Sequence, residues 1–225
     1  MLRHFIDVNN TFFTILHYPI SYLEFVGTIF NLACVILAAK RKISNWPIGI
    51  IGAILFGILF FKINLYADFF EQIFYFVTGI WGWWMWARTK DINKEKHEVK
   101  TTTNSARANL YWLIGIAASS FVLSYVLFRI HDWLPGLFPE PASSPVIDAT
   151  TTIMSFAAQI LMMKRKLESW WLWIAVDVVA IGFYWYKGIP FVALLYVIFL
   201  VNAVYAFYDW RKSMKGAVTS QAKEA

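Results

Sequence analysis

Four sets of side chains in this chain of 225 residues have the types and spacing to recognise a small solute. Trp170, Trp173 and Asp177 follow i, i+3, i+7, and Asn202 and Tyr205 follow i, i+3. Asp68, Gln72, Tyr75 and Gly79 follow i, i+4, i+7, i+11, while Glu24, Gly27 and Asn31 follow i, i+3, i+7. On a helix each set shares one face. Indole and phenol rings stack on a flat ring, and Asn and Gln read its hydrogen-bonding edge. A cationic ring gains about 0.5–2 kcal/mol from each aromatic face it meets, and a nearby Asp compensates its charge. The chemistry is recognition of a polar aromatic solute, vitamin-like or nucleoside-like.

Signals for catalysis are absent. There is no His-Glu-x-x-His pair, no Gly-x-Ser-x-Gly elbow and no phosphate loop ending in Gly-Lys-Ser/Thr. His4, His17, His97 and His131 lie outside the apolar runs, and the lone Cys34 excludes a disulfide framework and a Cys-based metal site. The expectation is a protein that is not an enzyme, with no cofactor and no metal.

The elements that must position these stripes are membrane spans. Hydrophobic types make up 59% of the chain and charged types 15%, against about 25% charged in an average soluble domain. Twelve Trp, eleven Tyr and twenty Phe exceed what one soluble core of this size buries, so the bilayer is the expected solvent. A membrane helix needs roughly 20 mostly apolar residues. Seven stretches are read as such helices, at 20–39, 46–61, 67–87, 110–130, 147–163, 170–186 and 190–208. Strand alternation is absent, which excludes a porin-like barrel. Segment 1–18, too polar to span, reads as an external amphipathic helix at the interface.

Several residues also have plainer readings. Trp83, Trp84, Trp86, Trp171 and Trp210, at span ends, read as interface anchors. Trp170 and Trp173 suit anchoring and ligand stacking equally. Asp68 suits a helix cap, Asn202 suits a bond to a neighbouring helix, and Gly49, Ala53 and Gly57 suit close helix packing.

Lys and Arg set the orientation. Sixteen fall on one side of the seven spans, in Lys40-Arg41-Lys42, the linker 88–108, Lys164-Arg165-Lys166 and the tail 209–225; four fall on the other. By the positive-inside bias the N-terminus is outside and the C-terminus cytoplasmic. The net charge of +6 therefore reports orientation and gives no reason to invoke nucleic acid. The Pro-rich stretch 131–146 reads as an external loop.

The basic triplets are 124 residues apart, as are Trp46 and Trp170, and Trp86 and Trp210. The chain therefore reads as a three-helix unit (20–87), a linker helix (110–130) and a second three-helix unit (147–208). Three spans end on the face opposite their start and the linker helix crosses back, so the repeats are parallel. Parallel repeats occur in transporters that bind substrate between the repeats, an analogy of fold alone.

Further motifs fall on the same spans. Trp46-Pro-x-Gly49-x-x-Gly52, Leu65-Tyr66-Ala67-Asp68, Gln72-x-x-Tyr75 and Trp81-Gly82-Trp83-Trp84 mark the first half. Trp170-x-x-Trp173-x-x-x-Asp177 and Asn202-x-x-Tyr205 mark the second. In these motifs, from about Tyr22 to Trp210, the chain resembles the Pnu vitamin transporters, and most of all their nicotinamide riboside branch. The resemblance implies an all-α bundle of seven helices, three plus one plus three, similar to the sugar SWEET transporters. It implies uptake of nicotinamide riboside through the bacterial inner membrane by facilitated diffusion, trapping by a separate cytoplasmic riboside kinase, and a homotrimer. By motif, Trp170, Trp173, Asn202, Tyr205, Gln72 and Tyr75 would contact substrate; Asn31 and Asp177 are added because of the faces they share. Carriers of thiamine or riboflavin, and a proton- or ion-coupled carrier using Asp68, Glu71 or Asp177, remain the alternatives.

Overall fold

The computed structural model describes residues 6–8, 10–15, 18–63, 66–89, 92–93 and 98–224. Seven helices carry the bundle: α1 (Tyr22–Ala39), α2 (Asn45–Lys62), α3 (Tyr66–Ala87), α4 (Ala106–Trp133), α5 (Pro145–Met163), α6 (Glu168–Tyr186) and α7 (Pro190–Glu224). Ser21 caps α1 by accepting the Glu24 N–H at 3.2 Å, and Ser105 caps α4 through the Ala108 N–H. Pro145 opens α5 at a position where its missing N–H costs nothing.

Five helices are long and apolar enough to cross a membrane by length and composition: α1, α2, α4, α5 and the Pro190–Met214 part of α7. Helices α3 and α6, of 22 and 19 residues, have the length. Trp, Tyr and the acidic and amide side chains make both less apolar than the other five. The α7 helix runs on past 208 into the basic tail, and α4 extends beyond 110–130 at both ends.

Helices α1, α2 and α3 pack in sequence, as do α5, α6 and α7. The two sets meet where α1 packs on α7 and α3 packs on α5, and α4 lies against α5. Two short turns join α1 to α2 and α5 to α6. Each holds an Arg in the left-handed region, Arg41 at φ 55° and Arg165 at φ 59°, 124 residues apart.

The segment before α1 corrects the helical reading of 1–18 over Thr11–Ile15; residues 1–5, 9, 16 and 17 lie outside the described residues. Strands β1 (Thr11–Ile15) and β2 (Tyr18–Ser21) form an antiparallel hairpin beside the start of α1. Thr, Phe and Ile in succession favour an extended backbone, and Phe12 and Phe13 pack on Tyr22 and Phe25 of α1. A second, two-residue hairpin, β3 (Ile92–Asn93) with β4 (Glu98–Val99), lies in the linker after α3.

Candidate functional site

The end of the bundle that carries the basic turns is closed by four tryptophans. Trp86 and Trp210 are both 0% exposed. The Trp86 Nε1–H donates to the Met163 carbonyl at 3.1 Å, and the Trp210 Nε1–H donates to the Ala39 and Ala38 carbonyls at 2.9 and 3.2 Å. Met163 is Ala39 plus 124, so each half reaches across to the last turn of the other half's first helix. These two residues are therefore not the interface anchors that their place at span ends suggested. The carbonyls they meet are among those a helix terminus leaves unsatisfied.

Trp46 meets Trp86 edge-on, with ring centroids at 5.3 Å and 84°, and Trp170 meets Trp210 at 5.5 Å and 82°. A Cβ at Gly82 would collide with the Trp46 ring, so glycine there admits the indole. Trp170 thus sits in a packed core, with Trp173 half-buried against the same cluster. Trp83 and Trp84 remain on the outer surface, as an anchor requires. An ion pair between Arg41 and Asp209 at 2.8 Å and a bond from Arg165 to the Thr89 hydroxyl at 2.5 Å add two more crossings between the halves.

Away from this closed end, polar and aromatic side chains of α3, α5, α6 and α7 gather in one region, termed the chamber. Glu71 on α3 accepts a hydrogen bond from the Thr152 hydroxyl on α5 at 2.7 Å. Phe74 stacks on Phe156 with centroids 3.9 Å apart, and Tyr75 meets Phe156 edge-on. Tyr184 and Tyr196 stack at 5.5 Å and 13° across the α6–α7 turn, which Gly188 makes with φ 71°. The Tyr196 hydroxyl lies within electrostatic reach of Tyr184, Asp177, Glu71 and Asp68. The Tyr75 hydroxyl lies by Ser155, Glu71 and Tyr196, and Tyr184 feels Asp68, Asp148 and Glu71. Asp177 is 4% exposed. Four carboxylates and three phenols from four helices therefore share one region, and Lys187 sits near Asp148 at its rim. Such a region attracts a cation and offers aromatic faces to a flat one.

The sequence-derived residues are divided between these places. Tyr75 and Asp177 belong to the chamber. Gln72 packs its Cβ toward Gly57 on α2, and Asn31 faces Gly52 on α2, where Oδ1 would lie 2.6 Å from an added Cβ. Asn202 donates to the Val35 carbonyl of α1 at 3.1 Å, a bond between the two halves. Tyr205 is 53% exposed on the outside of α7, about 60° around the helix from Asn202, which faces α1 at the edge of the contact. The Asn202–Tyr205 spacing therefore does not bring both side chains onto one site. Trp170 forms the packed floor and Trp173 the layer beside it.

Sequence reasoning passed over Thr152, Ser155, Phe156, Tyr184 and Tyr196 as site residues, and offered Glu71 only for a coupled carrier. The repeat offset held a usable signal: Asn31 plus 124 is Ser155, and Gln72 plus 124 is Tyr196. Among the described residues no group of His, Cys, Asp and Glu is arranged to hold a metal ion. A shallow groove on the face of α4 that carries Ala118, Val122 and Val126 involves none of these residues.

The family model of nicotinamide mononucleotide transporters matches residues 21–212. The nicotinamide riboside transporter PnuC of Escherichia coli K12 is 32% identical over 213 residues, covering 88% of each chain. The nicotinamide riboside transporter PnuC of Neisseria mucosa is 30% identical over 207 residues, covering 88% of this chain and 74% of that one. A crystal structure of the vitamin B3 transporter PnuC superimposes with a TM-score of 0.66 at 28% identity, covering 86% of this chain and 82% of the other.

Proposed function

The chain belongs to the nicotinamide mononucleotide transporter family, and on that premise we propose that it carries nicotinamide riboside through the bacterial inner membrane by facilitated diffusion. The observation that carries this reading is the gathering of carboxylates and phenols from α3, α5, α6 and α7. Nicotinamide riboside has a flat pyridinium ring with one positive charge, an amide and several hydroxyls. The chamber sets Asp68, Glu71, Asp148 and Asp177 around Tyr75, Tyr184 and Tyr196. The tyrosines offer π faces to the ring, the carboxylates balance its charge, and Thr152 and Ser155 suit the ribose hydroxyls. Trp173 lies beside this region on α6, with Trp170 packed below it, whereas Gln72, Asn31 and Asn202 pack against α1 and α2 outside it.

The family model's description names the mononucleotide, whereas the relatives are named for the riboside. Charge favours the riboside. The central turns of the seven spans, taking α7 over 190–208, hold no Lys or Arg. A phosphate dianion entering them would lose its water without gaining a cation, which is heavily unfavourable. The same barrier lets a cytoplasmic kinase trap the solute once it is phosphorylated, so that no ion gradient or ATP is required at the carrier.

The finer architecture belongs to the same proposal. Helices α1–α3 and α5–α7 are parallel repeats joined by α4, a three-plus-one-plus-three bundle similar to SWEET carriers. Its support is that offset 124 exchanges the α1–α7 contact with α5–α3, and the Trp86 bond with the Trp210 bond. The N-terminus lies outside and the C-terminus in the cytoplasm, and the functional unit is a homotrimer. A coupled carrier using Asp68, Glu71 or Asp177 draws on the same carboxylates. An uptake rate indifferent to pH counts against coupling.

Calorimetry of the purified protein with nicotinamide riboside, its mononucleotide, thiamine and riboflavin tests the assignment. Binding of the riboside alone is expected. Tighter binding of thiamine or riboflavin overturns it.

A further inference from the structure

The linker between α3 and α4 ends in a strap, Val99 to Asn104, that crosses the basic end of the bundle. The Val99 N–H donates to the Arg41 carbonyl at 3.3 Å, and the Thr102 N–H donates to the Arg165 carbonyl at 2.9 Å. The two acceptors are the two left-handed arginines, so one strap ties both basic turns together. The Val99 side chain is 2% exposed and inserts into the tryptophan cluster.

The two attachments differ in kind. On the α5–α6 side the strap pairs in parallel with the turn, Thr102 facing Lys166, and the Leu167 N–H returns a bond to the Thr102 carbonyl at 2.9 Å. Glu168 then accepts from the Asn104 N–H at 2.8 Å and from the Thr103 hydroxyl, and the Lys166 ammonium reaches the Thr103 carbonyl at 3.2 Å. Ser105 follows at once as the cap of α4, which packs on α5. The α1–α2 side is met at Val99 through the longest of these backbone bonds. Chain continuity and bond geometry both place the strap with the second half.

The closed end also carries a cost that opening would relieve. Trp46 Nε1, Thr101 Oγ1 and Trp170 Nε1 are buried without a hydrogen-bond partner. Water entering this end would satisfy all three.

We propose that residues 99–104 are a latch that travels with α4, α5 and α6, and that the basic end opens when the Arg41 turn parts from Val99. The inference rests on the carrier reading, because only a carrier must open this end. It locates the parting line on one side of the strap.

Two cysteine pairs on a Cys34→Ala background test it. Lys42→Cys with Val99→Cys joins the strap to the first half, and Thr102→Cys with Lys166→Cys joins it to the second. Linkage is made by oxidation, or by a short bis-thiosulfonate where oxidation does not close the pair, and confirmed by mass. Uptake of labelled nicotinamide riboside into proteoliposomes is then compared before linkage, after linkage and after reduction. The first linkage should reduce uptake to the protein-free background and reduction should restore it. The second linkage should leave uptake unchanged. Loss in both, in neither, or in the second pair alone overturns the latch. Absence of uptake in the unlinked parent would instead defeat the carrier reading, so the two failures are distinguishable.

Discussion

Trp170 and Trp173 lie three residues apart on one helix, yet the structure gives them different work, and alanine substitution separates the two. Trp170 is 2% exposed and meets Trp210 edge-on at 5.5 Å. Trp170→Ala removes a fully packed indole, a loss of about 3–5 kcal/mol for large-to-small changes in cores. An aromatic pair adds about 0.5–1.5 kcal/mol beyond its area. For a chain of this length each kcal/mol is worth about 2–4 °C in the melting midpoint. Trp173 is half-buried at the edge of the cluster, on the face that leads to Asp177. Trp173→Ala should cost less stability and more affinity. If the indole stacks on the pyridinium ring, the loss is about 1–3 kcal/mol, or roughly 5- to 150-fold. Trp173→Phe should recover part of it, because a π face remains. Trp83→Ala and Trp84→Ala, at positions 44% and 52% exposed, should spare both quantities. The assays are thermal melting and riboside calorimetry in detergent, run on the same preparations. An unchanged melting point in Trp170→Ala would refute the core assignment. Equal, small affinity losses at Trp173, Trp83 and Trp84 would remove Trp173 from the site.

Other perturbations probe neighbouring parts of the argument. Calorimetry with nicotinamide mononucleotide should show no binding, and affinity equal to that of the riboside would defeat the charge account. A C-terminal alkaline phosphatase fusion should be inactive in intact cells, and an active fusion would reverse the topology. Tyr196→Phe removes a hydroxyl at the centre of the chamber and should weaken riboside binding roughly 2- to 13-fold; Tyr205→Phe, on the outer surface, should leave it unchanged, and the opposite order would displace the chamber. Arg165→Gly should be about 1–2 kcal/mol more stable than Arg165→Ala by thermal melting, because only glycine escapes the left-handed penalty at φ 59°; equal stability would show that the turn relaxes.

Seven helices were legible because bilayer thickness imposes a length on every apolar run, and Lys and Arg punctuate most of them. The chamber was legible in part. Tyr75 and Asp177 stand out because carboxylates and phenols inside a span need a reason. Glu71 and Tyr196 carry the same signal, but a single helix wheel does not show which stripes meet. Tyr196 becomes visible only when Gln72 is carried forward by 124 residues. Trp86 and Trp210 were misread for a different reason. An indole at a span end has the same local sequence whether it faces lipid or another helix's carbonyls. The N-terminal hairpin was hidden in a short segment where the sequence positions of Phe12, Phe13 and Leu16 fit a helical stripe.

The bond from Trp210 to Ala39 has a consequence for how the chain comes into being. Its partners are 171 residues apart. At the roughly 5–20 residues per second of protein synthesis, α1 enters the bilayer on the order of ten seconds or more before its closing partner exists. Through that interval the last carbonyls of α1 stay unmet by the indole that will cover them, at the headgroup boundary where water can serve them. The matching bond from Trp86 to Met163 shortens the wait on the other side to 77 residues. A ribosome that stalls before Trp210 would release a chain with most of its spans inserted and this seam still wet. Such a product would lack the indole that closes the Ala38 and Ala39 carbonyls.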